Sequence, residues 1–598
     1  MKQISTTLFL YEDTCHVYVI KMGDKAVLID FGNGAVLNHL AEIGIREVTD
    51  VLMTHHHRDQ GQGLRQAVEK GIKVWVPHAE QDLFQRVNEH WQRREIDNNY
   101  NMRQDRFSLL YSVPIQGTLK DYETYYFNGV SFSIAPTPGH TTGSISIIVS
   151  IDGQSVAFTG DLIYGPGKVW SLSATQWSYN GAEGIPYSVL SLLYLKDRKP
   201  DVLLPSHGQL MANPAEAIDQ LVDRFTQLMK AREQNPRLFL FREKPYMEIT
   251  PHLLQNRTSF SNSYVLLSES KKALIIDYGY DFIGGLASGT DRAARRPWLY
   301  TLPYLKETYG VEKIEVVLPT HFHDDHVAGF NLLREVEGTE VWCPENFADI
   351  LENPKNYNLP CLWFDPIPVD RRIPLEKTFE WEEYRFQLFE QSGHTLYAVA
   401  IQFEVDGKSV LAIGDQYQGE AYNYVYSNKF RIWDYAESAR LYEKLRPDLL
   451  ISGHHDPIYV SEAYLETIKC KGTTLEKLHH DLLPLDDFNF GAEGFGVTID
   501  PYQIFGVPGS DFDIAIDVTN PFSDTQKASL DLILPIDWKA ENKTLCFSLE
   551  GYETKRVTTT LTLPKDVKGS RERLAVDLTI GDTHFGQHAE ALVTIKNY

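Results

Sequence analysis

The 598-residue chain predicts two α/β layered domains in tandem, followed by an all-β domain. Three observations carry this. Strand-like and helix-like segments alternate, and the alternation runs through twice. A set of histidine and aspartate motifs recurs in one order in both halves. From about residue 490 the composition shifts to Val, Ile, Thr and Leu, broken by turn signals such as VPGSD, NPFSD and LPKDVKGS.

Each element has its own sequence reason. The first copy opens on HVYVIKMGDKAVLIDFGNG, two β-rich runs joined by Gly23 and Asp24, a hairpin signal. The same unit returns as NSYVLLSESKKALIIDYGY. A helical stretch follows each copy. Next comes a short buried strand, VTDVLMTH or IEVVLPTH, that runs into a histidine motif. A helical segment lies between the last two motifs of each half, in SVLSLLYLKDRKPDVLLPSHG and ESARLYEKLRPDLLISGHH. The expected domains are 1–235, 245–475 and 490–598, with the polar stretch KAREQNPRLFLFREKPY linking the first two. The tail is similar in pattern to immunoglobulin-like sandwiches and holds no catalytic constellation.

Composition excludes some functions. Lys and Arg number 57 against 81 Asp and Glu, a formal charge of −24. Phosphate contacts need clustered cations, so neither a nucleic-acid partner nor an anionic membrane surface is expected. The five cysteines are scattered and odd in number, without a CxxC pair, which points to a reducing, cytoplasmic setting. The opening residues lack a basic segment followed by a long apolar run. Neither a secretory signal nor a membrane span is expected. A homo-oligomer stays open.

The chemistry lies in the repeated motifs. The second half has His321, His323, Asp325 and His326 in PTHFHDDHVAG, His394 in SGHT, Asp415 in AIGDQ and His454 in ISGHHDP. The first half repeats the order with His55, His57 and Asp59 in MTHHHRDQGQG, His140 in PTPGHTTGS, Asp161 in FTGDL and His207 in LLPSHGQ. The step from the motif His to the Asp is 21 residues in both halves. Gln60 stands where the second half has His326. Imidazoles and carboxylates in this order suit a pair of divalent metals that share a bridging carboxylate and a water. A single such histidine is ordinarily a satisfied core residue; seven candidate ligands in one order are not.

These motifs resemble the signature of the metallo-β-lactamase superfamily: T-H-x-H-x-D-H, then G-H-[ST], then G-D, then a final Gly-His or Ser-His. The resemblance covers both expected domains and not the tail. It implies an αββα sandwich with metals at one edge. His321, His323 and His394 would hold the first metal, Asp325, His326 and His454 the second, and Asp415 would bridge. Two Zn²⁺ are expected in the second domain and one or none in the first, where an amide at Gln60 replaces an imidazole; iron or manganese is possible. The resemblance further implies a hydrolase in which a metal-bridging hydroxide attacks an ester, thioester, lactone, amide or phosphodiester of a small molecule. Asp325 would orient the nucleophile or take its proton.

Three alternatives stay open. One is a mononuclear iron oxidoreductase of the same fold. Another is a nuclease with one inactive domain, and the third is a non-catalytic assembly protein. The full second-domain set weighs against the first, and the acidic charge against the second. Arg292, Arg295 and Arg296, in the loop after Asp277, form a small basic cluster in an acidic chain. They are candidates for binding an anionic substrate group. Trp170, Trp177 and Tyr179, and then Tyr422, Tyr424, Tyr426 and Trp433, follow the two G-D motifs as candidate pocket lining.

Overall fold

The computed structural model describes residues 1–93, 107–170, 184–283, 291–417, 431–483, 490, 495–567 and 569–596. The aromatic positions Trp177, Tyr179, Tyr422, Tyr424 and Tyr426 lie outside these residues, as does the centre of the loop that follows Asp277.

Gly23 and Asp24 turn strand His16–Met22 back onto Lys25–Ile29, with Met22 opposite Lys25. Lys25–Ile29 then pairs in parallel with Glu47–Leu52, and a seven-stranded sheet continues in chain order to Gly117–Leu119. A parallel strand is covered on both faces, so its side chains are apolar throughout. Ala26 and Leu28 pack on the helical side with Leu64, Ala67 and Phe84. Val27 and Ile29 face Phe132, Ile147 and Phe158 of a second, five-stranded sheet. That sheet's outer face is covered by helices Gly184–Asp197 and Pro214–Ala231. The result is helix, sheet, sheet, helix.

The second half repeats this order. A seven-stranded sheet runs from Tyr246–Thr250 to Arg371–Ile373, and a six-stranded sheet from Thr378–Trp381 to Ile458–Tyr459. Helices Asp434–Leu445 and Glu462–Leu482 cover the latter. The duplication reaches a local irregularity. The parallel ladder slips one residue between Ala26 and Val27 in the first copy, and between Ala273 and Leu274 in the second. The copies differ in the crossover to the next strand. The second uses the α-helix Leu302–Tyr309, the first only the 3₁₀ turns Ala35–Asn38 and Leu40–Ile43.

The tail forms a four-stranded and a five-stranded sheet around one shared core that includes Ile516, Leu530, Leu561, Val576 and Val593. It meets the second half where Tyr502 N donates to Asn356 O at 3.2 Å. All five cysteines are free thiols. Among the described residues no helix is long and apolar enough to cross a membrane.

The stretch expected as a polar linker contains the helix Leu238–Glu243. Its Leu238 is buried in the same cluster as Ile283 and Trp298 of the second half. Polar residues dominate that segment's composition, but Leu238, with Phe239 and Phe241 packed against the same cluster, folds it against its neighbours. Arg296 adds a polar clamp. Its Nε donates to Asp121 Oδ2 at 2.6 Å and its second fork nitrogen to Asp121 Oδ1. Nη1 donates to the carbonyls of Thr142 and Ser144 at 3.2 and 3.1 Å. The guanidinium and the carboxylate are 8% and 14% exposed, so neither is well solvated. Truncating one partner of such a pair leaves the other charge buried and alone. Arg296→Ala is therefore expected to destabilise the tandem unit by about 3–5 kcal/mol, read as a lowered denaturation midpoint. Arg296→Lys keeps the charge but loses the fork and should fall between.

Candidate metal centres

Each candidate ligand in the second half sits just beyond the C-terminal end of a strand. His321 follows Lys313–Leu318 and His394 follows Tyr384–Glu390. Asp415 follows Lys408–Ala412 and His454 follows Leu449–Ile451. The first of these strands belongs to the seven-stranded sheet and the other three to the six-stranded sheet packed on it, so residues far apart in the chain meet where the two sheets end together. His323 caps the single helical turn Asp324–Val327, which carries Asp325 and His326.

Two groups result. His321, His323 and His394 each offer a ring nitrogen, and all three lie within 4.8 Å of one another. His323 Nδ1 is 3.0 Å from His321 Nε2 and 3.1 Å from His394 Nε2. Asp325, His326, Asp415 and His454 form the second group within the same limit. His454 Nε2 lies 3.2 Å from Asp325 Oδ2 and 3.2 Å from Asp415 Oδ2. His326 Nε2 and Asp415 Oδ1 are buried and have no hydrogen-bond partner, although they face each other at 3.3 Å. Buried polar atoms are ordinarily satisfied, so this pair and the donor set around it fit a cation.

A residue whose role the motifs did not signal fixes this geometry. Asp277 ends the strand Lys272–Ile276 in the left-handed region at φ 57°, uncommon for a residue with a Cβ. Its carboxylate accepts from Thr320 N and Thr320 Oγ1, both at 2.7 Å, and lies 2.9 Å from His326 Nδ1. Holding one ring nitrogen aims the other at Asp415. Asp30 repeats the conformation at φ 55°. The matching positions after the two opening hairpins were the available sequence signal.

Electrostatics separate the two groups. Burial, reinforced by the neighbouring imidazoles, pushes His321 far below the ordinary histidine value and His323 down to about 3. Burial opposes charge on His454 too, but Asp415 and Asp325 override it and raise it to about 10. His326 is likewise raised, by Asp415, Asp325 and Asp277.

The first half assembles half of this. His55, His57 and His140 converge within 4.8 Å, with His140 Nε2 2.9 Å from His57 Nδ1. Asp161 lies beside them, 3.4 Å from His140 Nε2. Asp59 is partly exposed, 3.5 Å from His207 Nε2. Among the described residues no second group of this kind forms in the first half. His56 turns away from the ligands, as a residue between two of them would, and pairs with buried Glu80 at 3.1 Å.

The three arginines are divided among internal carboxylates. Arg292 pairs with Asp365, Arg296 with Asp121, and Arg295 with Asp324 beside Asp325. Arg292 and Arg296 open onto a 620 Å³ interdomain cavity lined by no candidate ligand. Arg295 alone reaches the metal edge. It donates to Tyr280 Oη at 3.0 Å, and Tyr280 stacks on Phe260, whose ring meets His454 edge-on at 5.6 Å. Phe260 was not singled out by any motif. In the first half Trp170, a candidate lining residue, stacks on His207 at 4.6 Å.

The chain matches the family described as Metallo-beta-lactamase superfamily over residues 10–207 and 256–454, and it belongs to that superfamily. No curated protein sequence matches it. Among solved structures it is similar to the native FEZ-1 metallo-β-lactamase from Legionella gormanii, at 17% identity and TM-score 0.31 over 39% of this chain and 96% of that one. It is also similar to a class B3 di-zinc metallo-β-lactamase from an Alaskan soil metagenome, at 16% identity and TM-score 0.29 over 40% and 94%. A metallo-β-lactamase from Pontibacter korlensis matches at 17% identity and TM-score 0.29 over 38% and 97%. The superfamily assignment rests on the family match; the fold and the His/Asp clusters make this a metallo-hydrolase fold suited to divalent metal.

A ligand must lose its proton before it coordinates. At pH 7 the metal-free His454 holds a proton against a folded value of about 10, whereas His323 at about 3 does not. Metal loading at the Asp325 group should therefore release protons and weaken as pH falls, and loading at the three-histidine group should not. Calorimetric titration in two buffers of different ionisation enthalpy measures the difference.

Proposed function

We propose that the chain is a zinc-dependent hydrolase whose working site is the paired centre of the second domain, 245–475. One observation carries this reading: among the described residues, only there does a three-histidine group stand beside a complete Asp–His–Asp–His group. Bound divalent cations would supply Lewis acidity and a nucleophile available at neutral pH. Asp415 lies between the groups, 3.5 Å from His394 Nε2 and 3.2 Å from His454 Nε2, and would be the carboxylate shared by two bound cations. Asp277 orients His326. Asp325 is the group that aligns the attacking water and accepts its proton at a carboxylate oxygen.

The substrate is a small molecule with an ester, thioester, lactone, amide or phosphodiester bond. Phe260 and Tyr280 offer an apolar wall beside His454. Of the three arginines, Arg295 is the one placed to meet an anionic group. We assign the 490–598 tail, an immunoglobulin-like sandwich, the role of a brace on the second domain, and the protein to the cytoplasm. A nucleic-acid substrate is not favoured by a charge of −24.

A hydrolysis screen over those bond classes tests the reading. Asp325→Asn should lower kcat by about 10²–10⁴-fold, and His326→Ala should abolish turnover, whereas His140→Ala leaves it in place. Equal loss in His140→Ala would move the chemistry to the first domain. On the substrate that emerges, Arg295→Gln should raise KM with little change in kcat; an unchanged KM removes Arg295 from substrate binding.

A further inference from the structure

Two differences between the copies act on the same place. In the second domain the residue before His454 is Gly453. A Cβ there would stand 1.9 Å from Asp415 Oδ1 and 2.7 Å from His326 Cε1. Any side chain at 453 therefore invades the second metal position. The first domain carries Ser206 at the matching position, and Gln60 in place of His326. The backbones correspond: Ser206 N donates to Gly160 O and Gly453 N to Gly414 O, both at 2.8 Å.

The side chains do not. Ser206 Oγ donates to Asp30 Oδ2 at 2.6 Å. In the second domain His326 Nδ1 approaches the matching oxygen, Asp277 Oδ2, at 2.9 Å. Gln60 is fully buried and directs Nε2 to Asp161 Oδ2 at 3.2 Å. His207 turns as well. Its Nδ1 is 2.9 Å from Asp161 Oδ1, and its Nε2 is 3.1 Å from the carbonyl of Thr14, with Trp170 nearly parallel over the ring at 7°. The corresponding Nε2 of His454 faces two carboxylates at 3.2 Å each, whereas that of His207 has one, Asp59 Oδ2, at 3.5 Å.

We propose that the first domain holds one divalent metal ion, at His55, His57 and His140, and that Ser206 and Gln60 close its second metal position. The donors that remain suit a single ion. His55 Nε2 is buried without a hydrogen-bond partner beside the other two rings. At the second position Asp161 and His207 are bonded to each other, and Gln60 Oε1 stands where the imidazole would be; it also lacks a partner but is a neutral amide oxygen, a poor match for a cation that prefers imidazole. Ser206 and Gln60 form a matched pair. Once the imidazole is absent, Asp30 needs another donor, and the space left by the ring admits a side chain at 206.

Metal counting on the full chain tests this without any substrate. In a His394→Ala/His454→Ala background, which disables the second domain, native mass spectrometry and elemental analysis should find one zinc per chain. Adding Gln60→His and Ser206→Gly should raise the count to two, with a matching change in Co²⁺ absorption. A count of two before those changes, a count of zero, or a count that stays at one after them would each overturn the proposal. The reciprocal pair, His326→Gln with Gly453→Ser, placed in a His55→Ala/His140→Ala background, should lower the second domain from two ions to one. A starting count other than two in that arm would refute the paired centre of the second domain, separately from the first-domain result.

Discussion

Charge buried without a partner is the constraint that organises this molecule. The candidate centre of the second domain places two carboxylates and five imidazoles where its two sheets end together, nearly all of them out of contact with solvent. Removing an ionised group from water costs several kcal/mol unless an opposite charge or several hydrogen bonds compensate it. Asp415 and Asp325 are compensated by His326 and His454, which hold both carboxyls below their usual range despite burial. A cation can replace those protons. The same electrostatic arrangement therefore stabilises the metal-free fold and prepares the site for metal.

The rule accounts for the divergence of the two copies. Asp161 occupies the place of Asp415 and is buried to the same degree. It draws its compensation from Gln60 and His207 within the chain, not from the full second group. Asp30 receives Ser206 where Asp277 receives His326. Each donor of the second-half set that the first half lacks is matched there by another side chain, so both buried carboxylates stay compensated.

Between the domains the rule takes another form. The apolar cluster of Leu238, Ile283 and Trp298 supplies contact area, and Arg296 supplies direction. Its fork reaches Asp121 and two carbonyls that follow His140, while the adjacent Arg295 reaches Asp324 beside Asp325. Two consecutive arginines thus connect the ligand loop of one domain to that of the other. A guanidinium can do this because its planar donors stay charged and bond in several directions at once.

Much of this was legible in the residues alone. The alternation of strand and helix, the repeated hairpin and the ordered His and Asp motifs depend on spacing within short segments, and sequence records such spacing directly. The histidines of those motifs converge because strands of two packed sheets end together and bring their following residues to one place. Other features depend on contacts across long separations. Asp277 meets His326, Ser206 meets Asp30 from 176 positions away, and Arg296 meets Asp121 from 175. No local pattern marks those pairs. Read as a sequence, the arginines are three cations in an acidic chain, and Gly453 and Ser206 are small residues before a histidine. The chain's order of residue types determined which chemistry is present and how often. Tertiary structure alone decided which side chains share a space, because hydrogen bonding and steric exclusion act on distance in three dimensions, not along the chain.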